Sequence, residues 1–220
     1  MPSTPTWAKS DLLSHVKHPL GGPWGFVIYR TTYTSYSNRR FPELINIFNS
    51  YLKRDILKED SLEPLNLTTR KASGPRGDFC ADYDLIWAHH RPIIMDDPAK
   101  FNGLSLPAVR SHFESWVGPE DSDKVSHRPG AQEIACLVVD EEVMDVLAAA
   151  APYRKNEMFS MELYNGEWVK AVEAYADTSD PEWWNGTLKV PIRALWRFWE
   201  SIGYTATMEH WGPSGGIFES

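Results

Sequence analysis

The stretch Trp24-Gly25-Phe26-Val27-Ile28-Tyr29-Arg30-Thr31-Thr32-Tyr33 decides how this chain is read. It is the densest run of β-branched and aromatic residues in the sequence, bounded by Gly21-Gly22-Pro23 and by Ser35-Tyr36-Ser37-Asn38. Such a run predicts a strand buried on at least one face. Side chains alternate along a strand, so Phe26, Ile28, Arg30 and Thr32 share one face while Val27, Tyr29 and Thr31 share the other. Arg30 therefore stands among apolar neighbours. A guanidinium in that place pairs with a carboxylate or meets an anionic group of a ligand, and the structural pair is the commoner outcome.

Beyond the strand, Leu44, Ile45, Phe48, Leu52 and Ile56 recur at the three-and-four spacing of one buried helix face, which predicts a helix over 41–57. Before it, residues 1–23 carry Pro2, Pro5, Pro19 and Pro23 and read as a loose N-terminal arm, leaving 24–220 as one domain. Residues 59–77 read as a long polar loop with a short extended piece at 65–69. Tyr83–Asp97 reads as a strand pair or one long bent strand, with Pro92 at the bend. Ser105 is a candidate N-cap for a helix carrying Val109, Phe113 and Trp116 and ending near Gly118. Residues 133–139 predict a buried strand, and Asp140-Glu141-Glu142 opens a helix through Ala151. The alternation in Met158–Tyr164 and the run Trp168–Tyr175 predict a hairpin about Asn165-Gly166. Thr187–Val190 predicts a short strand, followed by a helix from Pro191 to Ile202 that Gly203 stops. Short turns between several strands favour an α+β fold, a mostly antiparallel sheet with helices on one face.

Composition narrows the classes. At 220 residues, 42% hydrophobic and 24% charged, the chain falls in the ordinary globular range. No apolar run reaches the ~18 residues of a membrane span, and the start lacks the basic and apolar regions of a signal peptide, so a cytoplasmic location is expected. Cys80 and Cys136 are too few for a disulfide scaffold or a cysteine-rich zinc site. A net charge of −8 weighs against a broad basic surface for nucleic acid. Ten tryptophans supply core anchors with some to spare for a pocket or an interface.

Five stretches carry the candidate chemistry, and no cofactor or metal motif accompanies them. Arg30 is the first, as a ligand-binding cation. His89-His90-Arg91 is the second, with one histidine as general base and Arg91 as an anion ligand; on a strand the two imidazoles point oppositely and do not chelate one metal. Asp96-Asp97 before Phe101-Asn102-Gly103 offers paired carboxylates, although the same residues make an ordinary turn. Asp140-Glu141 lies where a strand meets a helix, where capping accounts for it equally well. Trp183-Trp184, after Asp180-Pro181, is the candidate ligand-facing aromatic pair.

With those stretches in view, the chain resembles a widespread, mostly uncharacterised set of small proteins of filamentous fungi. The resemblance rests on residues 24–33, on Asp96-Asp97, Phe101-Asn102-Gly103, Val109-Arg110, Phe113 and Trp116, on the strand ending at Asp140-Glu141-Glu142, and on Lys189-Val190-Pro191 with Leu195. It implies a cytosolic fungal protein of specialised metabolism. It further suggests a link to arginine-containing cyclodipeptide synthases, which draw aminoacyl groups from charged tRNA and carry an Asp-Asp-x-x-Glu motif. Here Glu59-Asp60-Ser61-Leu62-Glu63 and Glu141-Glu142-Val143-Met144-Asp145 only approximate that motif, and Asp96-Asp97 has Lys100 at its last place. The expectation is thus a small enzyme of the cyclodipeptide-forming kind, with a small-molecule substrate and charged tRNA as partners. Its rival is a non-catalytic binding module with an aromatic pocket.

Overall fold

The computed structural model describes residues 7–57, 77–118, 129–154, 166–204, 208–211 and 215–218. Its elements, in chain order, are α1 (Trp7–Lys17), β1 (Val27–Arg30), α2 (Ser35–Leu57), α3 (Gly77–Ala88), β2 (Ile93–Met95), α4 (Pro98–Phe101), α5 (Leu106–Val117), α6 (Gly130–Ile134), β3 (Ala135–Val139), α7 (Glu141–Val146), β4 (Trp168–Glu173), β5 (Thr187–Pro191) and α8 (Leu195–Tyr204).

The five strands form one open sheet in the order β2-β1-β3-β4-β5. β1 runs parallel to both neighbours, with Ile28 opposite Ile94 on one side and Leu137 on the other. β3–β4 and β4–β5 are antiparallel. The fold is α+β as expected, but the sheet is mixed rather than mostly antiparallel. The reason lies in the connections, since parallel neighbours need a crossover and these are helical: α2 and α3 join β1 to β2, and α4, α5 and α6 join β2 to β3. Helices also cover both faces, not one. Phe26, Ile28, Leu137 and Val139 face the larger core with Leu44, Phe48, Ile86, Val143, Phe198 and Trp199. Val27, Tyr29, Cys136, Val138 and Val172 face a smaller one with Phe101, Val109 and Phe113 of α4 and α5. The alternation read from residues 26–32 is what divides the two.

Other differences have local causes. α2 begins at Ser35 instead of Phe41 and continues through Pro42, because Thr34 caps it: the Ser37 N–H donates to Thr34 Oγ1 at 3.1 Å and the Asn38 N–H to the Thr34 carbonyl at 2.9 Å. The aromatic run 83–88 is the end of α3 and not a strand. Ile86 is buried against α2, and the Trp24 indole donates to its carbonyl at 2.7 Å, so tertiary contact overrides the strand preference of the residues. Only Ile93–Met95 pairs as β2. Part of the stretch read as a loose arm is α1, with Leu12 and Val16 in the larger core. The 140–151 helix ends at Val146, and Gly203 lies inside α8 rather than stopping it. The expected strands at 65–69 and 158–164 lie outside the described residues; β4 pairs with β3 and β5.

Gly25 explains the Trp-Gly-Phe of the opening stretch. The backbones of Trp24 and Arg91 meet directly, the Arg91 N–H donating to the Trp24 carbonyl at 2.7 Å. Gly25 has φ +149°, and a Cβ on it would stand 2.9 Å from the carbonyl carbon and oxygen of Arg91.

Candidate functional site

The carboxyl ends of β2, β1 and β3 lie side by side, and three of the five candidate stretches fall there: Arg30 through Thr34 after β1, Asp96-Asp97 after β2, and Asp140–Glu142 after β3. In open sheets with parallel strands this edge is where ligands settle. An open groove of about 550 Å³ occupies it, lined by Thr31, Thr32, Tyr33, Thr34, Asn102, Gly103, Leu104, Asp140, Glu141, Glu142 and Lys170. The Gly103 N–H donates to the Thr31 carbonyl at 2.8 Å, so the turn after α4 is bound to the turn after β1.

Charge in the groove centres on Lys170 of β4, whose side chain is 14% exposed. Its ammonium donates to Asp140 Oδ2 and, at 2.6 Å, to Glu142 Oε2. Burial works against its charge, but the hydrogen bonds and fields of the two carboxylates outweigh it and hold the lysine pKa above its ordinary value. The hydrogen bond from Lys170 holds Glu142 below the usual carboxylate range. Glu142 also faces Lys189 at 3.6 Å, whose ammonium lies 4.2 Å from the centre of the Trp168 ring. Asp140 has a second task as the N-cap of α7, accepting the Val143 N–H at 3.0 Å. Glu141 is exposed on the groove wall. Chemically, Asp140 and Glu142 favour the ammonium form of Lys170, and Glu141 is the wall carboxylate outside these ion pairs.

Arg30 is in the groove's foundation. It is 6% exposed; Nε donates to the Thr32 carbonyl at 3.0 Å, and Nη2 to Ser37 Oγ at 3.2 Å and to Asn38 Oδ1. Nη1 faces Asp96 at 3.5 Å, and the guanidinium lies 4.4 Å from the Tyr33 ring centre and 5.0 Å from that of Phe41. Every arm of the fork is turned inward, so Arg30 shapes the turn that lines the groove. Burial, helped by the Asp96 charge, pushes the Tyr33 phenol up to about 12. Asp97 caps α4, accepting the Ala99 N–H at 3.0 Å, and faces Lys100 at 3.4 Å.

The other two stretches are at the opposite edge of the sheet. His89, His90 and Arg91 precede β2, and Trp183 and Trp184 follow β4, whose last residue Glu173 pairs with the first residue of β3. His89 and Arg91 belong to the turn between α3 and β2 rather than to a strand. His90 is buried between Trp24 and Trp87. Trp184 is buried and its indole donates to Glu173 Oε2 at 2.9 Å. Trp183 is 69% exposed, its indole on Glu209 Oε1 at 2.7 Å. The tryptophan pair therefore does not form one aromatic pocket.

Sequence reasoning passed over Lys170 and the Thr31–Thr34 lining. Both left a signal: a lone lysine in the otherwise apolar run 168–172, and a hydroxyl-rich turn between a buried strand and a long helix. Among the described residues, no group of three or more histidine, cysteine, aspartate or glutamate side chains is placed to hold a metal ion, and no helix is long and apolar enough to cross a membrane. Comparison with family models, with curated proteins and with solved structures returns no match.

Proposed function

We propose that the chain binds a small, amino-acid-derived molecule bearing a cationic group in the groove at the carboxyl edge of β1 and β3. One observation carries the reading: among the described residues the groove wall presents Glu141, exposed, beside Asp140 and Glu142, which pair with Lys170 and Lys189. The groove is open and polar, so a ligand in it is held by charge and hydrogen bonds rather than by enclosure. The cyclodipeptide-synthase reading is its narrower form. There the cation is an arginyl side chain, the aminoacyl group arrives on charged tRNA, and Glu141, exposed and outside the Lys170 ion pairs, is the carboxylate we assign to take an amine proton. An acidic groove in a chain of net charge −8 favours the cation over the tRNA backbone.

Two measurements test this. Titration with arginine by calorimetry should show saturable binding that Glu141→Gln weakens; no heat with any basic amino acid or its amides refutes the reading. Extracts of a bacterial host expressing the chain, compared by mass spectrometry with an empty-vector control, should show arginine-containing cyclic dipeptides if the narrower form holds. Binding without product makes the chain a non-catalytic binding module. The exposed Trp183 indole supports a variant of that module with its contact at the opposite edge, read out by quenching of its fluorescence.

A further inference from the structure

His90 lies where α3 gives way to β2 and is 5% exposed. Its ring stacks on Trp87, centroids 4.7 Å apart, and meets Trp24 edge-on at 4.6 Å. Trp196 and Trp199 of α8 stand behind Trp24 at 6.1 and 5.3 Å. The same few residues fasten β2 to β1: the Trp24 N–H donates to the His89 carbonyl at 3.1 Å, the Arg91 N–H to Trp24 at 2.7 Å, and the Ile93 N–H to Phe26 at 3.0 Å. Within this box His90 Nε2 is buried and has no hydrogen-bond partner among the described residues.

The charges around the ring are hostile to an imidazolium. Arg91 is next in the chain, its guanidinium donating to the His90 carbonyl at 2.6 Å. Lys53 of α2 holds its ammonium 5.9 Å from the centre of the Trp87 ring. On α3, Asp82 is taken up by Lys17 of α1 at 2.8 Å, and α8 meets Trp24 with Trp196 and Trp199. A proton on His90 would therefore be cut off from water beside a cation, a cost that the indole faces offset only in part.

We propose that His90 is an acid-sensitive latch, whose protonation releases the α3–β2 turn from Trp24 and frees β2 from the edge of the sheet. Burial, with the Arg91 charge adding to it, holds the imidazole pKa down at about 4 against an ordinary 6.5. The open segment takes the proton first, so opening is favoured as the pH falls below about 6.5 and levels off below about 4. Those two values give about a 30-fold rise in the open fraction between pH 7.5 and pH 5. β2 is an edge strand of three residues, which keeps the release local. Asp96, the carboxylate facing Arg30, directly follows β2, so the release extends to the ion pair beneath the turn after β1.

The test is hydrogen–deuterium exchange on the full chain at pH 7.5 and pH 5, corrected for intrinsic exchange, for the wild type and His90→Phe. In the wild type, protection at the Arg91 and Ile93 amides should fall about 30-fold while β4 keeps its own. In His90→Phe, which keeps an aromatic ring between the two indoles, the fall should shrink below about 3-fold. His90→Leu replaces it if the phenylalanine variant fails to fold. Constant wild-type protection, an equal loss across β4, or an undiminished fall in a folded variant overturns the proposal.

Discussion

Replacing Arg30 by methionine separates two roles that one side chain can play at the edge of a groove. Methionine fills most of the stem's volume and removes the charge and every donor. Lost with them are the bonds to the Thr32 carbonyl, Ser37 Oγ, Asn38 and Asp96. Hydrogen bonds from a charged donor contribute about 1.5–3 kcal/mol each, but not all of that disappears. The Thr32 carbonyl still accepts from Ser37 Oγ at 2.9 Å, while Asp96 and Asn38 are exposed enough to be hydrated. Methionine also avoids the cost of burying a guanidinium. The net loss is about 2–4 kcal/mol, some 4–16 °C in melting temperature for a domain of this size. Arg30→Lys, a point charge without the fork, should recover about half of it. Urea unfolding followed by tryptophan fluorescence measures both. If Arg30→Met stays within about 0.5 kcal/mol of wild type yet loses ligand affinity, the guanidinium is a ligand contact and its inward fork is not what shapes the turn.

The remaining predictions address single features. Glu141→Gln, at an exposed wall position, should leave stability within about 0.5 kcal/mol and weaken a cationic ligand about 3- to 10-fold, as calorimetry would show. Gly25→Ala should cost about 3 kcal/mol or more, because the φ of +149° and the 2.9 Å approach to Arg91 both oppose a Cβ; a melting temperature unchanged within 2 °C refutes it. Glu173 is 1% exposed, and burial raises its carboxyl above the ordinary 4.5 although Trp184 and the Met208 N–H donate to it. Its contribution to stability is thus largest below pH 4.5 and is lost as the pH climbs through the raised value. Glu173→Gln should flatten that part of the stability–pH curve, and a curve identical to wild type counts against it. Phe113→Ala, in the smaller core, should cost about 3–5 kcal/mol by denaturant titration, with a loss under 1 kcal/mol showing that the second face is not closed by α5.

What could be read from the chain alone was set by short-range pattern. The alternation across residues 26–32 assigned Arg30 to the face of Phe26 and Ile28, and the three-and-four spacing of Leu44, Phe48, Leu52 and Ile56 announced α2. The β-branched run before Asp140 marked β3 and its cap on α7. Each of these follows from a period of two or 3.6 meeting a single apolar face. Where the pattern was ambiguous, tertiary contact chose. Residues 83–88 hold strand-favouring aromatics, yet the indole of Trp24, some 60 positions earlier, takes the Ile86 carbonyl and the segment is helical.

The candidate site divides in the same way. Sequence alone named Arg30, Asp96, Asp140 and Glu141 as chemically notable, because charged groups beside apolar strands stand out wherever they fall. Only the tertiary structure could show that these converge at one edge of the sheet, that His90 and Trp184 are buried at the other, and that Lys170 joins the first group. Convergence depends on strand order and direction. Those were decided by two helical crossovers that set β2 and β3 parallel to β1, connections whose course no local periodicity encodes.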